Sequence, residues 1–336
     1  MALRLIEIIV PSKASEAVLE RMAQEGVDDT GTWITPLRGG RLSIKLVMDM
    51  EDTEQVTDMV EKRFLLTGDY RIVIHPVEAV LPRLEENGNG GAEKKAGRAS
   101  REELYSDAED MCGASRNFII LVLLSTVVAV IGLIKNNPTI TLAAMVIAPL
   151  MGPNVSLALA TTLGDPALAR RALLSNASGV LAAFLLSLLL GLVLNFDPAV
   201  AEIAGRTEVG MADLVLAFAS GVAGVLSFTM GSGSSLVGVM VALALVPPLA
   251  ASGLLAGKGL YDHALRAGLL FVANVTCLNL SGMGTFLLQG VRPMNWWEAK
   301  KAARITVRAV IIWLTILAVL VSAIVLLSRG DGNPLF

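Results

Sequence analysis

Two hydrophobic patterns divide the chain. Before residue 83, apolar and polar positions alternate over short stretches; after residue 113, apolar residues run on almost unbroken, segment after segment. Short alternation marks half-buried strands, and runs of about twenty apolar residues match the thickness of a bilayer core.

The first part reads as strand, helix, strand, strand, helix, strand. Leu3 to Val10 is rich in β-forming residues. Pro11-Ser12 opens a helix with Ser12 as its N-cap, and Val18, Leu19 and Met22 share a face. Gly39-Gly40 separates Thr32–Leu37 from Arg41–Met48, a hairpin signal, and Leu42, Ile44, Leu46 and Met48 repeat every second residue. Asp52 caps a second helix carrying Val56, Met59 and Val60, and Tyr70 to His75 is the last strand. That order predicts an α+β ferredoxin-like domain over residues 1–82. Residues 83–99, with Asn87-Gly88-Asn89-Gly90-Gly91, predict a flexible linker. Residues 100–113 predict a short amphipathic helix. Ser100 and Glu103 stand at capping-box spacing, and Leu104, Ala108 and Met111 share a face. Such a helix lies along the membrane interface or packs on the first domain.

Residues 114–330 predict an α-helical polytopic membrane domain. About seven segments are long enough to span, near 117–134, 139–162, 167–194, 211–229, 234–256, 264–289 and 304–327. Two are interrupted. Ala148-Pro149-Leu150-Met151-Gly152-Pro153-Asn154 breaks the second, and Val246-Pro247-Pro248-Leu249 breaks the fifth. Proline lacks an N–H and clashes with the preceding turn. The freed backbone groups must then find partners in protein or in a watered cavity, because lipid offers none. Paired breaks in the two halves of a membrane protein point to a transport site.

Composition agrees: 54% of residues are hydrophobic, 17% are charged and the mean hydropathy is +0.65. A net charge of −3 gives no reason to expect nucleic acid as a partner. Cys112 and Cys277 have neither zinc spacing nor a disulfide pattern. Met1 to Val10 lacks the build of a signal peptide, so the N-terminal domain is expected in the cytoplasm, below the cell (inner) membrane. Basic residues fit that orientation. Arg98, Arg101 and Arg116 precede the first span, Arg170 and Arg171 follow the second, and Arg292, Lys300, Lys301, Arg304 and Arg308 surround the start of the seventh. The C-terminus is then outside.

The two halves also correspond in order. Pro149 matches Pro247-Pro248, Asp165 matches Asp262, Leu173-Leu174 matches Leu269-Leu270, and Asn176 matches Asn274. With three spans in each half, the second copy enters from the opposite face. The expected plan is a 3+3 inverted repeat plus one span.

No enzyme constellation is visible, and no cofactor or metal is expected. His75 and His263 lack companions, Gly231-Ser232-Gly233-Ser234-Ser235 lacks the context of a nucleophile elbow, and no phosphate loop occurs. Polar residues inside the spans are almost all neutral. The candidate pathway comprises Asn137, Pro149, Gly152, Pro153, Asn154, Asn176, Ser234, Pro247, Pro248 and Asn274. Interhelical hydrogen bonding is the plainer alternative for such side chains. No span centre holds a clear Asp, Glu, Lys or His, so a buried proton relay is not expected. Opened carbonyls suit a cation and half-helix N-termini suit an anion; the sequence leaves both open.

Ala144-Met145-Val146-Ile147-Ala148-Pro149-Leu150-Met151-Gly152-Pro153, followed by Gly164-Asp165, resembles the uncharacterised hydrophobic domain family of bacteria and archaea, a domain of unknown function. The resemblance runs from about Asp107 to Gln289 and implies an integral membrane protein, without a substrate. The overall plan is also similar in architecture to trimeric intracellular cation channels, where the kinked second and fifth spans line a pore. The expected function is passive or secondary transport of a small polar solute or ion through the two broken helices. The alternatives are a cation channel and a ligand-sensing membrane scaffold. Expected partners are the lipid bilayer, the solute or ion, and one or two further copies of the chain in a homo-oligomer.

Overall fold

The computed structural model describes residues 3–24, 32–49, 52–64, 69–77, 99–208, 210–230, 245–292 and 296–331. Ser234 and nearly all of the expected linker lie outside these residues. The chain divides into two compact units, Met1–Leu104 with Thr229–Gly231, and Tyr105–Phe228 with Ser232–Phe336.

In the first unit the elements are β1 (Leu3–Pro11), α1 (Ser15–Gln24), β2 (Trp33–Leu37), β3 (Arg41–Asp49), α2 (Thr53–Phe64) and β4 (Arg71–Val77). The four strands form one antiparallel sheet in the order β2-β3-β1-β4. Central β1 sets the inward face: Ile6 lies opposite Leu46 and Ile74, and Ile8 lies opposite Ile44 and Ile72. Val18 and Met22 of α1, with Val56, Met59 and Val60 of α2, complete that core. Gly39 and Gly40 turn the β2–β3 hairpin with φ of 82° and 70°, a region open to glycine without strain.

Arg4 points into the same face and is almost fully buried, which requires a partner. Its guanidinium donates twice to the Glu103 carboxylate, at 2.7 and 3.2 Å. Arg101, also buried, pairs with Asp58 at 2.9 Å and with Glu102. Arg101, Glu102 and Glu103 form the first turn of α3 (Arg101–Met111), and Asp58 reaches Arg101 from α2. Ser12 is not the expected helix cap. Its residues 12–14 form a 3-10 turn, and its hydroxyl donates instead to the Gly40 carbonyl at 2.7 Å, tying β1 to the hairpin.

The second unit is helical. Its elements are α4 (Arg116–Ile134), α5 (Pro138–Ile147), α6 (Met151–Leu163), α7 (Pro166–Val193), α8 (Ala201–Ala204), α9 (Met211–Thr229), α10 (Val246–Gly257), α11 (Tyr261–Leu288) and α12 (Trp296–Asp331). By length and composition, α4, α7, α9, α11 and Arg304–Ile324 of α12 can each cross a membrane. The bent pair α5 and α6 makes a sixth crossing if counted as one. Of the expected fifth span, 234–256, only the part from residue 245 is described, as α10.

Polar caps punctuate the helices. Ser115 accepts from the Phe118 N–H at the start of α4. Asn136 holds a left-handed φ of 51° in the α4–α5 turn, and its side-chain oxygen accepts from the Glu202 N–H in α8. Gly164, with φ of 67°, closes α6, and Asp165 then caps α7 by accepting from Ala167 and Leu168. Packing centres on α7, α10 and α4, whose buried cluster includes Phe118, Val122, Ala183, Leu249 and Leu254. Helix α12 is attached by a narrow stripe. The Thr306 hydroxyl donates to the Thr161 carbonyl at 2.9 Å, and Leu320 packs with Leu214, Ala217, Ala273 and Cys277.

Candidate functional site

The first break lies where α5 ends and α6 begins, and the two axes differ by 56°. Its cause is local. Ala148 is extended, with φ −72° and ψ 121°, as a residue before proline prefers. Pro149 has no N–H for the Met145 carbonyl, and Pro153 has none for the Pro149 carbonyl. A Cβ at Gly152 would stand 2.9 Å from Cβ of Met111, so the small residue lets α3 lie against the break. Ser156, one turn on, is fully buried and bonds the Gly152 carbonyl at 2.8 Å and the Ala108 carbonyl at 2.9 Å.

Asn154, in the first turn of α6, starts a buried amide network. Its Nδ2 donates to the Leu150 carbonyl at 2.8 Å and to Asn176 Oδ1 on α7 at 3.0 Å. Its Oδ1 accepts from Nδ2 of Asn279 on α11 at 3.1 Å. Asn279 Nδ2 spends its other hydrogen on the Val275 carbonyl at 2.9 Å. Two backbone carbonyls, which can only accept, thereby fix which end of each amide is nitrogen. Asn154 and Asn279 are 2% and 0% exposed. Asn279 Oδ1 has no hydrogen-bond partner among the described residues, nor has the fully buried Ser175 hydroxyl beside Asn176.

Pro149, Gly152, Pro153, Asn154 and Asn176 therefore belong to one locality. The other expected site residues are placed differently. Asn137 is the N-cap of α5, accepting from Thr139 and Ile140, a full helix away from the break. Replacing it with alanine should cost about 1 kcal/mol of stability, read as a lower melting temperature in detergent. Pro247 and Pro248 open α10 and are buried. Leu245, Val246 and Leu249 beside them share one apolar cluster with Ala148 and Leu150, so the two breaks are joined by hydrocarbon. Asn274 is buried on α11, but it is Asn279 that meets Asn154. Five residues turn a helix by about 140° beyond a full circle, so the two asparagines point differently. Reasoning from the repeat selected Asn274 and passed over Asn279. The available signal was Val275 and Asn279 at i, i+4 spacing in an apolar run.

Outside the spans, Tyr105 of α3 donates to Asp165 at 2.8 Å, and Glu109 pairs with Arg171. Burial raises the Asp165 carboxyl, but Tyr105, the Leu168 and Ala167 N–H groups and Arg171 outweigh it and hold it below the usual carboxylate range. Burial, then Asp165, push the Tyr105 hydroxyl up to about 12. A lowered folded pKa stabilises above the unfolded value of about 3.9 and is lost as pH falls through the folded one. Tyr105→Phe should cost about 1 kcal/mol near neutrality. The melting difference from the unaltered protein should hold constant down to about pH 5 and shrink below about pH 4.

The first unit has a separate cavity of about 470 Å³, lined by Thr57, Glu61, Tyr70, Arg71, Ile74 and Glu102 among others. Burial, then Glu102, push the Glu61 carboxyl above the usual range against the pull of Arg101.

Residues 145–280 match the model of a family described as Domain of unknown function (DUF389). An uncharacterised protein of Methanocaldococcus jannaschii is 31% identical over 317 residues, covering 94% of this chain and 97% of that one. The chain belongs to the DUF389 family. No solved structure matches it. The DUF389 segment begins in α5 and ends one residue past Asn279, so it contains both proline breaks and all three asparagines of the network. Neither comparison assigns a function.

Proposed function

We propose that this protein is a passive or secondary membrane transporter of a small polar solute or ion. Its site is the amide network where the broken span meets α7 and α11. The observation carrying this reading is the pairing of a helix break with a buried, partly unsatisfied polar cluster. Interhelical packing needs hydrogen bonds, but it does not need an amide oxygen left without a donor in a dry interior. Alternating exposure of that oxygen to the two sides would give transport without any charged side chain in the network.

The finer architecture follows the same reading. Seven spans in a 3+3 inverted repeat plus one are supported by the helices that follow each break, both with proline in their first turn, and by their common apolar cluster. A ferredoxin-like first unit is supported by the strand order β2-β3-β1-β4 and the β-α-β-β-α-β sequence. The protein would work as a dimer or trimer in the cell (inner) membrane, with the first unit in the cytoplasm, the C-terminus outside, no enzymatic role and no nucleic-acid partner. A second reading, a ligand-sensing scaffold, is supported by the cavity at Glu61 and Glu102. Full-length protein in liposomes distinguishes the two. Transport predicts saturable flux of at least one solute in a panel of monovalent cations, halides, polyols and amino acids. No flux above protein-free vesicles across that panel would overturn it.

A further inference from the structure

We propose that the network binds a small monovalent cation, with Asn279 Oδ1 as a direct ligand. Transport at this site is the starting reading; the chemistry of the network supplies the substrate class. Both hydrogens of the Asn154 amide are spent, on Leu150 and Asn176. Both hydrogens of the Asn279 amide are spent, on Val275 and Asn154. What these two side chains still offer is oxygen: one lone pair on Asn154 Oδ1 and both on Asn279 Oδ1. The Asn154 and Asn279 amides therefore accept and do not donate. Neither has a hydrogen left with which to hold an anion.

The breaks remove donors in the same way. A helix N-terminus binds anions through its free N–H groups. In α6 the third helical position is Pro153, and in α10 the second and third are Pro247 and Pro248. Between them these six positions keep only the N–H groups of Met151, Gly152 and Val246. The dipoles do not restore an anion site. The carbonyl end of α5 and the amide end of α6 meet at the break, where their opposite partial charges largely cancel. The Met145 and Pro149 carbonyls, deprived of their helical donors by Pro149 and Pro153, add further acceptors.

Charge selects within the cations. The desolvation cost of an ion grows steeply with its charge, and divalent ions are held by carboxylates or keep their water. The network has no carboxylate, and the described residues hold no cluster of acidic, histidine or cysteine side chains able to bind a metal ion. Neutral oxygens compensate a single charge, as carbonyl rings do in cation filters. The Ser175 hydroxyl, buried without a partner beside Asn176, can also turn its oxygen to such an ion.

The test is melting of the full-length protein in detergent at constant ionic strength, with sodium, potassium or ammonium replacing N-methylglucamine. The unaltered protein should be stabilised by at least one of these cations in a saturable way, and be indifferent to exchange of chloride for other anions. Asn279→Leu should weaken the apparent cation affinity about tenfold or more. Asn279→Asp, which keeps the shape, should acquire a response to calcium or magnesium that the unaltered protein lacks. Equal melting in N-methylglucamine and in every cation, a response to anions instead, or an unchanged cation affinity in Asn279→Leu would each overturn the site. If Asn279→Leu does not fold, absence of the divalent response in Asn279→Asp overturns it. Flux separates the two levels. Vesicles that pass polyols or anions but no cation refute the cation site and leave transport standing. Cation binding without any flux keeps the site and refutes transport.

Discussion

Replacing Gly191 with valine is expected to unseat α7 from α10 and give the largest loss of stability of any single change in the second unit. At this crossing the two backbones touch. A Cβ on Gly191 would fall on the Leu254 carbonyl oxygen and come within 3.1 Å of the Gly257 Cα. A Cβ on Gly257 would fall on the Leu188 carbonyl and stand 2.8 Å from the Gly191 Cα, and one on Gly253 would meet the Ser187 hydroxyl and the Phe184 carbonyl. Small residues therefore oppose small residues, Ser187 and Gly191 on one helix and Gly253 and Gly257 on the other, each pair four apart. Lipid tails are as apolar as the side chains, so close backbone approach is a main source of helix association in membranes. The obstructing atoms are backbone and cannot rotate aside. Overpacking typically costs about 1–3 kcal/mol, and a forced helix shift puts Gly191→Val at or beyond the top of that range. Melting in detergent, with the fraction of monodisperse protein, measures it. Gly284→Ala on α11 is the control. A Cβ there meets nothing within 4 Å, so the change should be neutral or stabilise by up to about 1 kcal/mol through better helix propensity. Equal melting of Gly191→Val and Gly284→Ala would refute the account of the crossing.

Particular residues show what the sequence made legible. Period-two positions such as Ile6, Ile8, Ile44 and Leu46 were readable because one covered face forces the alternation. The apolar segments were readable because bilayer thickness sets their length, and the α5–α6 break because two prolines cannot continue a helix. Contacts between helices were not. Whether Asn274 or Asn279 reaches Asn154 depends on the rotation of α11 about its own axis, which neighbouring helices set. Matching the halves of the chain compares positions along it and is blind to that rotation. Gly253 and Gly257 carried the small-residue spacing in plain view, but their partners Ser187 and Gly191 lie over sixty residues away. Ser12 suited a helix cap by composition, yet the Gly40 carbonyl across the turn took its hydroxyl. An unfilled acceptor such as Asn279 Oδ1 is a property of the packed network alone.

Asn154→Leu tests whether that network is a unit. Leucine is close to asparagine in size, so packing survives while three hydrogen bonds disappear, those to Leu150, Asn176 and Asn279. Asn176 loses its donor, and Asn279 keeps one hydrogen with nowhere to place it. In water-soluble interiors each orphaned group costs about 1–3 kcal/mol. In membranes the average is nearer 0.6 kcal/mol, because partly unfolded helices still find partners. A total of about 2 kcal/mol is therefore expected, enough to lower the melting point by several degrees without abolishing the fold. Asn279→Leu should cost a comparable amount, since it frees Asn154 Oδ1. The double variant should cost less than the sum, by about 0.5–1 kcal/mol, because the bond between the two amides can be lost only once. Strict additivity would mean that the two side chains do not meet. The same pair separates structure from function. Flux through liposomes should vanish in Asn154→Leu well below its melting temperature, since the site has then lost the amide that orients Asn279. Full flux in a protein that melts several degrees lower would make the network a packing device, and the polar pathway would have to run elsewhere.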